Sequence, residues 1–415
     1  MKNSLRVLRV MVLYGWESNP YAESTIRALL DRKVKVDFVA REGAEWPPDE
    51  QSCTVHPIFP GHRRGRSHAR MLLMEVIALA RVLRLVLKIR PDIIHYQSFR
   101  MIRLDWILFL LLWLLRQKIV FTVHDTHSLE ASRLDTFIFS RTARRSDVLL
   151  VHSSDARAVL LERWKVRPER VRVIPHGGYD YYHPVHIAGP EARSHLGYRD
   201  EFLLLAFGTI REYKGLDYLL PAVAQARRQI PALRLIIAGR SFDTALGARY
   251  QQQIVDLGLT DIVRFENRFI ETAEVEKLFG AVDLVVLPYI RIDQSGVLFL
   301  AYTFGKPVLV TSVGGLPEMV REGESGYLAP PADSQALHDG ILRAWAQRHR
   351  LGEMGANARR LVQEEYTWER QAEITEDAYR DLLDPDRDAA ADRGSPAAAA
   401  PARRDADGSH PSVVP

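Results

Sequence analysis

The residues best suited to chemistry lie in the run DQSGVLFLAYTFGKPVLVTSVGGLPEMV, residues 293–320. Gln294, Ser295 and Gly296 stand where a strand ending in LPY should meet a helix that begins near Val297. The first amide groups of a helix have no partner inside the helix and carry partial positive charge. This turn can therefore bind a phosphate. The alternative is an ordinary helix cap with a structural glycine, and the residues alone leave both open.

A second candidate for phosphate binding is the pair of cations Arg211 and Lys214 in FGTIREYKGLDYLL. They follow a strand expected to end at Gly208, and Gly215 would make the turn into the next helix. Two fixed cations at the carboxyl end of a strand can hold a diphosphate and neutralise its charge as it leaves. Such pairs are also often solvated surface charges, and that alternative stays open.

In the first half of the chain, His124 follows a strand in IVFTVHDTHS. A histidine there can hydrogen-bond a sugar hydroxyl or exchange a proton near neutral pH. Asp125 could orient it or cap the following turn, and His127 is a less well-placed alternative. His95 and Gln97 end the strand PDIIHYQ and could line the same cleft, although a structural role fits them better.

Glu318 follows the glycine pair Gly314 and Gly315 in a loop that enters a helix. Its carboxylate could cap amide groups there, which we favour, or accept a hydrogen bond from a ligand hydroxyl. The chain has no Walker-type loop, no paired-cysteine zinc site and no HExxH pair. No Asp-x-Asp triplet follows a strand, so a required metal is not indicated.

Short β-branched runs alternate with helical patterns through both halves of the chain, which predicts parallel sheets covered by helices on both faces. The halves should join near Pro175–Pro184, where HGGYDYYHP is typical of a linker. Two such domains would place a cleft between the carboxyl ends of their strands. The expected strands are Leu8–Leu13, Val34–Val39, Asp92–His95, Ile119–Thr122, Val148–His152, Phe202–Gly208, Leu233–Ala238, Val263–Phe265, Leu284–Leu287 and Pro307–Thr311.

Length and composition favour a two-domain protein of a reducing compartment. A chain of 415 residues exceeds one compact core, and 47% hydrophobic with 26% charged residues is ordinary for globular proteins. The single cysteine, Cys53, cannot form an internal disulfide, and no signal peptide is recognisable. The apolar stretch Trp106–Leu115 is far short of the roughly 20 residues that span a bilayer. We expect a cytoplasmic location.

Charge is concentrated between residues 63 and 90, where eight basic residues minus Glu75 give +7, so the rest of the +4 chain sums to −3. From Arg70 onward the pattern predicts an amphipathic helix with one apolar stripe, and the helix Trp106–Leu115 could reach the same interface. Such helices bind anionic membrane surfaces, although domain helices with hydrated basic residues are the alternative. A nucleic-acid partner is not expected, because no basic–aromatic platform is present. The stripe consists of Leu72, Val76, Leu79, Leu83 and Val86, and the basic residues are Arg63, Arg64, Arg66, Arg70, Arg81, Arg84, Lys88 and Arg90.

Taken in order, the motifs TVHD, VRVIPHGGYD, FGTIREYKGLDYLL, LRLIIAGR, DLVVLPY and SGVLFLAYTFGKPVLVTSVGGLPEMV resemble the GT-B glycosyltransferases of family 4 and their group 1 C-terminal domain. The likeness is strong over about residues 115–380 and loose before that. It implies an α/β fold of GT-B type, with two doubly wound Rossmann-like domains facing a central cleft. Residues 1–180 would form the acceptor-side domain and 181–365 the nucleotide-sugar-binding domain. Residues 366–383 would cross back as a helix, and the Ala- and Pro-rich tail 384–415 is predicted to be disordered.

The resemblance also implies roles for individual residues. Arg211 and Lys214 would contact the donor diphosphate, Ser295 and Gly296 would cradle it, and His124 would approach the transferred sugar. Asp180 resembles the aspartate that closes the interdomain linker. The donor side would comprise Gly208, Thr209, Gly239, Arg240, Pro288, Asp293, Gln294, Ser295, Gly296, Val297 and Glu318, and the acceptor side Gly15, Asn19, His95 and Asp125.

Three features depart from the family pattern. Ile292 and Leu300 occupy the places of two glutamates, the second of which usually binds the donor ribose. Thr209 follows the glycine of the phosphate strand, where the family usually has an arginine. The first loop is GWESNPY rather than a loop with paired glycines, so acceptor contacts do not transfer.

The implied activity is transfer of a hexose-type sugar from a UDP- or GDP-linked donor to a glycan or lipid-linked acceptor, with retention of configuration. The nucleotide sugar is a substrate, so no cofactor is expected, and no metal is required. The enzyme would lie at the inner face of the membrane as a peripheral protein. The alternative is a partner subunit of the same fold that lost donor binding with its glutamates.

Overall fold

The computed structural model describes residues 7–13, 20–43, 52–61, 68–97, 102–126, 132–179 and 189–384. Over these residues the chain forms two parallel sheets with helices on their faces. The predicted fold class, two doubly wound α/β domains, is therefore confirmed.

The first sheet contains seven strands among the described residues, in the spatial order β3-β2-β1-β4-β5-β6-β7. All neighbouring strands pair in parallel, and the order reverses between β1 and β4. The strands are β1 Arg9–Leu13, β2 Lys35–Arg41, β3 Cys53–Phe59, β4 Ile93–Tyr96, β5 Ile119–Thr122, β6 Val148–Val151 and β7 Val171–Val173. The helices are α1 Pro20–Asp31, α2 His68–Ile89, α3 Ile102–Leu114, α4 Arg133–Arg145 and α5 Ser154–Glu162.

The second sheet contains six strands in the described part, in the order β10-β9-β8-β11-β12-β13, and reverses between β8 and β11. Such a reversal opens a crevice at the carboxyl ends of the two strands. The strands are β8 Phe202–Phe207, β9 Leu233–Ala238, β10 Val263–Glu266, β11 Leu284–Leu287, β12 Val308–Thr311 and β13 Gly326–Ala329. The helices are α6 Gly189–Leu196, α7 Leu216–Ala226, α8 Thr244–Asp256, α9 Thr272–Ala281, α10 Gly296–Thr303, α11 Leu316–Met319, α12 Ser334–Ala346, α13 Leu351–Glu364 and α14 Trp368–Leu383.

Strands in the middle of each sheet are continuous apolar runs because helices cover both faces. The sequences VLLV of β6 and LVVL of β11 are buried at every position. The strands absent from the predicted set, β3, β7 and β13, all lie at sheet edges. β3 contains Pro57 and is buried only at its two ends, Cys53 and Phe59. An edge tolerates a proline because one side of the strand needs no ladder hydrogen bonds.

Helix α14 leaves the second domain and packs on the first. Thr367 caps it by accepting from the amide of Arg370. Trp368 and Tyr379 join the core that covers one face of the first sheet, and Trp368 Nε1 donates to the carbonyl of Gly178 at 2.6 Å. Buried contacts of this helix thus fix the end of the described chain to the first domain.

The apolar stripe predicted for α2 is correct only in its second half. Leu79 and Val86 are buried, but Leu72 and Val76 are 50% and 47% exposed, because only the later turns of α2 pack into the core of the first domain. The predicted basic side chains Arg70, Arg81, Arg84 and Lys88 are exposed. No helix of the described residues combines the length and the apolar character needed to span a membrane.

Candidate functional site

The two segments predicted to bind phosphate meet at the reversal point of the second sheet. Lys214 ends a short 3-10 turn after β8, and its Nζ donates to the Tyr289 hydroxyl at 3.0 Å. That hydroxyl also hydrogen-bonds Ser295 Oγ at 3.2 Å, and Lys214 Nζ lies 4.1 Å from the centre of the Tyr289 ring. Gly208 and Pro288 line a cavity beside Lys214 and Tyr289. The structure therefore joins the FGTIREYKG and QSG segments through one buried tyrosine.

Two glycines let the loops at this point approach closely. Gly215 has φ +73°, and a Cβ there would lie 1.8 Å from the carbonyl oxygen of Pro288. Gly239 has φ +152°, and its Cβ would lie 2.0 Å from the carbonyl oxygen of Gly208. Any side chain would push the loops after β8, β9 and β11 apart, so these glycines set the position of Lys214.

The start of α10 keeps polar groups that its own cap does not use. Ser295 is the N-cap, but its hydroxyl makes no cap hydrogen bond and turns to Tyr289 instead. Gln294 Nε2 is buried and finds no hydrogen-bond partner among the described residues. Because buried donors are nearly always satisfied, this amide and the first amides of α10 suit an oxygen-rich ligand. Val297 Cγ2 lies 3.4 Å from a Cβ built on Gly208, so α10 begins beside the end of β8.

Arg211 and Arg240 lie on the outer side of the same crevice. The guanidinium carbons of Arg211 and Arg240 lie 6.0 and 5.1 Å from the ring centre of Phe242. Arg240 and Thr209 are exposed, whereas Arg211 is half-buried. The two predicted cations of this segment therefore diverge, with Lys214 directed to Tyr289 and Arg211 to Phe242.

The loop after β5 brings His124 and Asp125 of the first domain towards the second. The amide of Thr126 donates to the buried carboxylate of Asp293, which joins the two domains directly. Desolvation and the charge of Asp293 raise the pKa of Asp125 to about 6, while Lys214 opposes this shift. Desolvation lowers the pKa of His124 to about 4. At neutral pH His124 is therefore neutral and can donate and accept hydrogen bonds.

Glu318 bridges the domains and does not cap its own helix. Its two carboxylate oxygens accept from the amides of Ser154 and Asp155, at 2.9 and 3.0 Å, at the start of α5. Glu318 therefore caps backbone amides, as expected, but these amides belong to the other domain and not to the loop of Glu318. The carboxylate of Asp293 likewise accepts from an amide of the first domain. Both carboxylates predicted on the donor side therefore make hydrogen bonds between the two domains.

His95 does not line the cleft, contrary to its place among the acceptor-side residues. It is fully buried, with Nδ1 2.6 Å from the Tyr379 hydroxyl and Nε2 2.7 Å from Thr122 Oγ1. Both ring nitrogens are thus engaged, and the residue connects β4 with α14. The structural role considered for it is the one that the contacts support.

Tyr289 is the residue of this site that the sequence interpretation missed. An aromatic residue directly after the buried strand LVVL and Pro288 was a usable signal, because it stands at the carboxyl end of a strand next to the reversal point. Predicted residues that lie outside the described residues are Gly15, Asn19, Arg63, Arg64, Arg66, His127 and Asp180.

Replacing Tyr289 with phenylalanine tests the link between the two segments. The substitution keeps the ring but removes the hydroxyl that joins Lys214 Nζ to Ser295 Oγ. Hydrogen bonds to charged groups contribute about 1.5–3 kcal/mol, so we expect kcat to fall roughly 10- to 100-fold with a smaller change in KM. Tyr327→Phe is the matched control. Tyr327 lies on the edge strand β13, and the substitution removes a hydroxyl that donates to the side chain of Gln347. Equal kcat values for both variants would contradict the link.

Two family models match the chain, one over each sheet. The model described as Glycosyltransferase Family 4 matches residues 19–177. The model described as Glycosyl transferases group 1 matches residues 201–347. Together they cover most of the described part of both domains.

Similar curated proteins carry the name D-inositol 3-phosphate glycosyltransferase. The protein from Mycobacterium marinum is 30% identical over 295 residues, which are 65% of this chain and 60% of that protein. The chain thus spans less than two thirds of that relative. The protein from Stackebrandtia nassauensis is 29% identical over 409 residues, covering 91% of this chain and 89% of the relative.

Solved structures share the whole arrangement of the two domains. Sucrose-phosphate synthase from Thermosynechococcus elongatus has a TM-score of 0.71 at 22% identity, covering 91% of this chain and 99% of that one. Anabaena HepE in complex with UDP-glucose has a TM-score of 0.71 at 21% identity with the same coverage. At these identities the likeness shows the fold.

Proposed function

Since this chain belongs to the group 1, family 4 glycosyltransferases of GT-B fold, we propose that it moves a hexose-type sugar from a nucleotide-sugar donor to a glycan or lipid-linked acceptor. The observation that carries the proposal is the hydrogen-bonded link from Lys214 through the Tyr289 hydroxyl to Ser295. It brings a cation, the start of a helix and the buried Gln294 amide, which has no partner in the described part of the chain, to one crevice. These are the groups that a diphosphate needs.

The donor diphosphate would bind between Lys214, Arg211 and the first amides of α10, with Gln294 Nε2 donating to one of its oxygens. As the bond between the anomeric carbon and the phosphate oxygen breaks, negative charge grows on the leaving nucleoside diphosphate. Fixed positive groups stabilise that charge without having to reorganise. Because side chains and amides supply the positive charge, the proposal includes no metal ion and no cofactor.

The acceptor would enter from the first domain, where Asp125 lies close enough to Asp293 and Lys214 for their charges to act on its pKa. Its hydroxyl oxygen forms the new bond to the anomeric carbon from the face that the phosphate leaves, and its proton passes to the leaving phosphate oxygen. This gives retention of configuration and a free nucleoside diphosphate. Neutral His124 would hydrogen-bond a hydroxyl of the transferred sugar and so fix its position.

The donor is proposed to carry UDP or GDP. Anabaena HepE has been solved with UDP-glucose, which supports a nucleotide-sugar donor for this chain as well. The curated relatives are named for a small phosphorylated acceptor. For this chain, the exposed face described below favours a lipid-linked acceptor instead.

Thermal unfolding with UDP and with GDP tests donor binding first, since a ligand that binds the folded chain must raise Tm. A panel of UDP-, GDP- and dTDP-sugars, scored by nucleoside diphosphate release, then identifies the donor. We expect one of the two nucleotides to raise Tm and the matching sugars to be turned over. The absence of any shift would contradict donor binding and would favour the partner subunit that lost it. A Tm shift without turnover of any donor in the panel would contradict the proposed transfer activity.

The first domain presents an apolar face on three adjacent helices, α2, α3 and α4. Its members are Leu72, Leu73, Val76, Ile77, Ile107, Leu111, Trp113, Leu114, Leu115, Leu134 and Phe137, each at least 40% exposed. Arginines accompany the aromatic members, with Arg145 5.2 Å from the Trp113 ring centre and Arg141 5.0 Å from that of Phe137. A large exposed apolar face with basic neighbours suits the surface of an anionic membrane. We therefore include peripheral membrane binding at the inner face in the proposal.

Flotation with liposomes containing anionic lipid tests this face. The double variant Leu73→Gln with Leu114→Gln should lose most of the bound fraction, because both side chains are at least 60% exposed and would enter the interface. Val255→Gln, at an exposed apolar position of the second domain, is the control and should float as the native protein does. An unchanged bound fraction for the double variant would show that this face does not meet lipid.

A further inference from the structure

We propose that Phe242, together with Arg211 and Arg240, forms a stacking platform for the nucleobase of the donor. This inference rests on the proposed function and identifies the part of the crevice that receives the nucleoside. Phe242 is 67% exposed, although its neighbour Ser241 is buried. An exposed phenylalanine held at the carboxyl end of a strand, beside a candidate diphosphate site, suggests a ligand with an aromatic face.

The backbone that carries Phe242 is held on both sides. Ser241 pairs with Ile210 in a parallel bridge, and its amide donates to Asn267 Oδ1 at 2.7 Å. Asp243, the next residue, caps α8 by accepting from two amides of its first turn. The ring therefore projects from a fixed position rather than from a free loop, which lowers the entropy lost when a ligand stacks on it.

The bridge between Ile210 and Ser241 also explains the arrangement of the side chains. Side chains of neighbouring parallel strands stand next to each other when their backbones are in register. Arg211 therefore lies beside Phe242, 6.0 Å from its ring centre, and Arg240 approaches the same ring at 5.1 Å. The phenyl face and the planar guanidinium groups offer the surfaces on which bases stack.

The position in the sheet assigns this platform to the nucleoside end of the donor. The spatial order is β10-β9-β8-β11-β12-β13, and Phe242 follows β9. The contacts to the first domain come from loops on the other side of β8, through Asp293 after β11 and Glu318 after β12. The sugar must point towards the first domain to meet its acceptor, so a donor whose diphosphate lies at Lys214 and Arg211 directs its base towards β9.

The chain also lacks a carboxylate that could fix the ribose from α10. Leu300, at the family's usual glutamate position, is 5% exposed and packs in the core of the second sheet. Nucleoside affinity must then come from other contacts. Stacking on an aromatic side chain is tolerant of base identity, because every base has an aromatic face.

Calorimetric titration of the full chain with UDP, GDP and inorganic pyrophosphate tests the platform. Phe242→Ala should weaken binding of the preferred nucleoside diphosphate about 5- to 100-fold and leave pyrophosphate affinity unchanged. Phe242→Trp should restore the affinity, and its indole fluorescence should be quenched by the nucleotide but not by pyrophosphate. Phe137→Ala removes another exposed phenylalanine that lies beside an arginine, in the first domain, and should change none of these values.

The outcomes separate this inference from the function on which it rests. Wild-type protein that binds neither nucleotide would overturn the proposed donor site itself, and the platform with it. Native nucleotide affinity in Phe242→Ala would overturn the platform alone. An equal loss for pyrophosphate would show that the loop, and not the ring, had been disturbed. A loss seen with a UDP-sugar but not with UDP would place a sugar, rather than a base, on Phe242.

Discussion

Replacement of Lys214 with alanine should lower turnover about 100- to 1000-fold, the range seen when one preorganised charge-stabilising donor is removed. Lys214 Nζ is held by the Tyr289 hydroxyl, and no loop has to move for it to face the end of β8. Its charge would act on the leaving diphosphate as the glycosidic bond breaks, so kcat should fall more than donor affinity. Measurement of kcat and KM for nucleoside diphosphate release checks the expected result.

Lys118→Ala is a suitable control for this variant. Lys118 is exposed and precedes β5, so it lies at the amino ends of the strands, away from the crevice. Both variants should stay folded, because neither side chain is part of a core. Lys118→Ala should keep the native Tm, and Lys214→Ala should lower it only by the loss of the hydrogen bond to Tyr289. Activity of Lys214→Ala close to that of the wild type would remove this residue from the mechanism and would leave Arg211 and the helix amides as the charge-stabilising groups.

Mild acid should destabilise the protein steeply, because buried histidines are held neutral in the folded protein. Burial lowers the pKa of His95 and His176 to about 3 and that of His124 to about 4. Burial also lowers the pKa of His152. The His176 ring stacks on Phe299 of the second domain, with ring centres 4.7 Å apart. Protonation would therefore place charge between packed aromatic rings.

The sign of the effect follows from proton uptake. In the unfolded chain these imidazoles bind protons near their ordinary pKa of 6.5, whereas in the folded protein they stay neutral down to about pH 4. The unfolded state therefore binds more protons below pH 6.5, and the free energy of unfolding falls as pH falls from 6.5 towards 4. Each histidine contributes up to about 1.4 kcal/mol per pH unit. Asp125, whose pKa is raised, acts in the opposite direction and offsets part of the loss.

Urea unfolding between pH 7 and pH 4.5 measures this slope. His95→Gln should reduce it by the share of one histidine, even if the variant is less stable at every pH, because glutamine cannot take up the proton. His349→Gln replaces an exposed histidine near the start of α13 and should leave the slope unchanged. A free energy of unfolding that stays constant from pH 6.5 to 4.5 would show that these buried histidines do not stay neutral in the folded protein.

Much of the fold could be predicted because the central strands carry their own signal. Runs such as VLLV and LVVL are apolar throughout, since helices cover both faces of each sheet. The strands β3, β7 and β13, which were not predicted, all lie at sheet edges, although the edge strand β10 was predicted. One side of an edge strand needs no hydrogen-bond partner, so its sequence pattern is less constrained. Pro57 in β3 even argued against a strand there.

At the candidate site, too, local features could be predicted from the sequence and long-range contacts could not. Gly215 and the QSG turn could be placed at strand ends from their neighbours in the chain, because turn chemistry is local. The partner of Lys214 could not, because Tyr289 is 75 residues away. The roles of Asp293 and Glu318 also escaped, because their amide partners lie 167 and 164 residues away, on the other domain.

The sequence by itself determined the two α/β units, the chemical types at the carboxyl ends of their strands and the family to which the chain belongs. The tertiary structure decided which of these groups meet. It linked Lys214 to Ser295 through a tyrosine, turned two expected ligand carboxylates into contacts between domains, and buried His95 under α14. The reason is physical: hydrophobic patterning and turn preferences act over a few residues, whereas a crevice is formed by side chains that only the packing of distant elements brings within hydrogen-bonding distance.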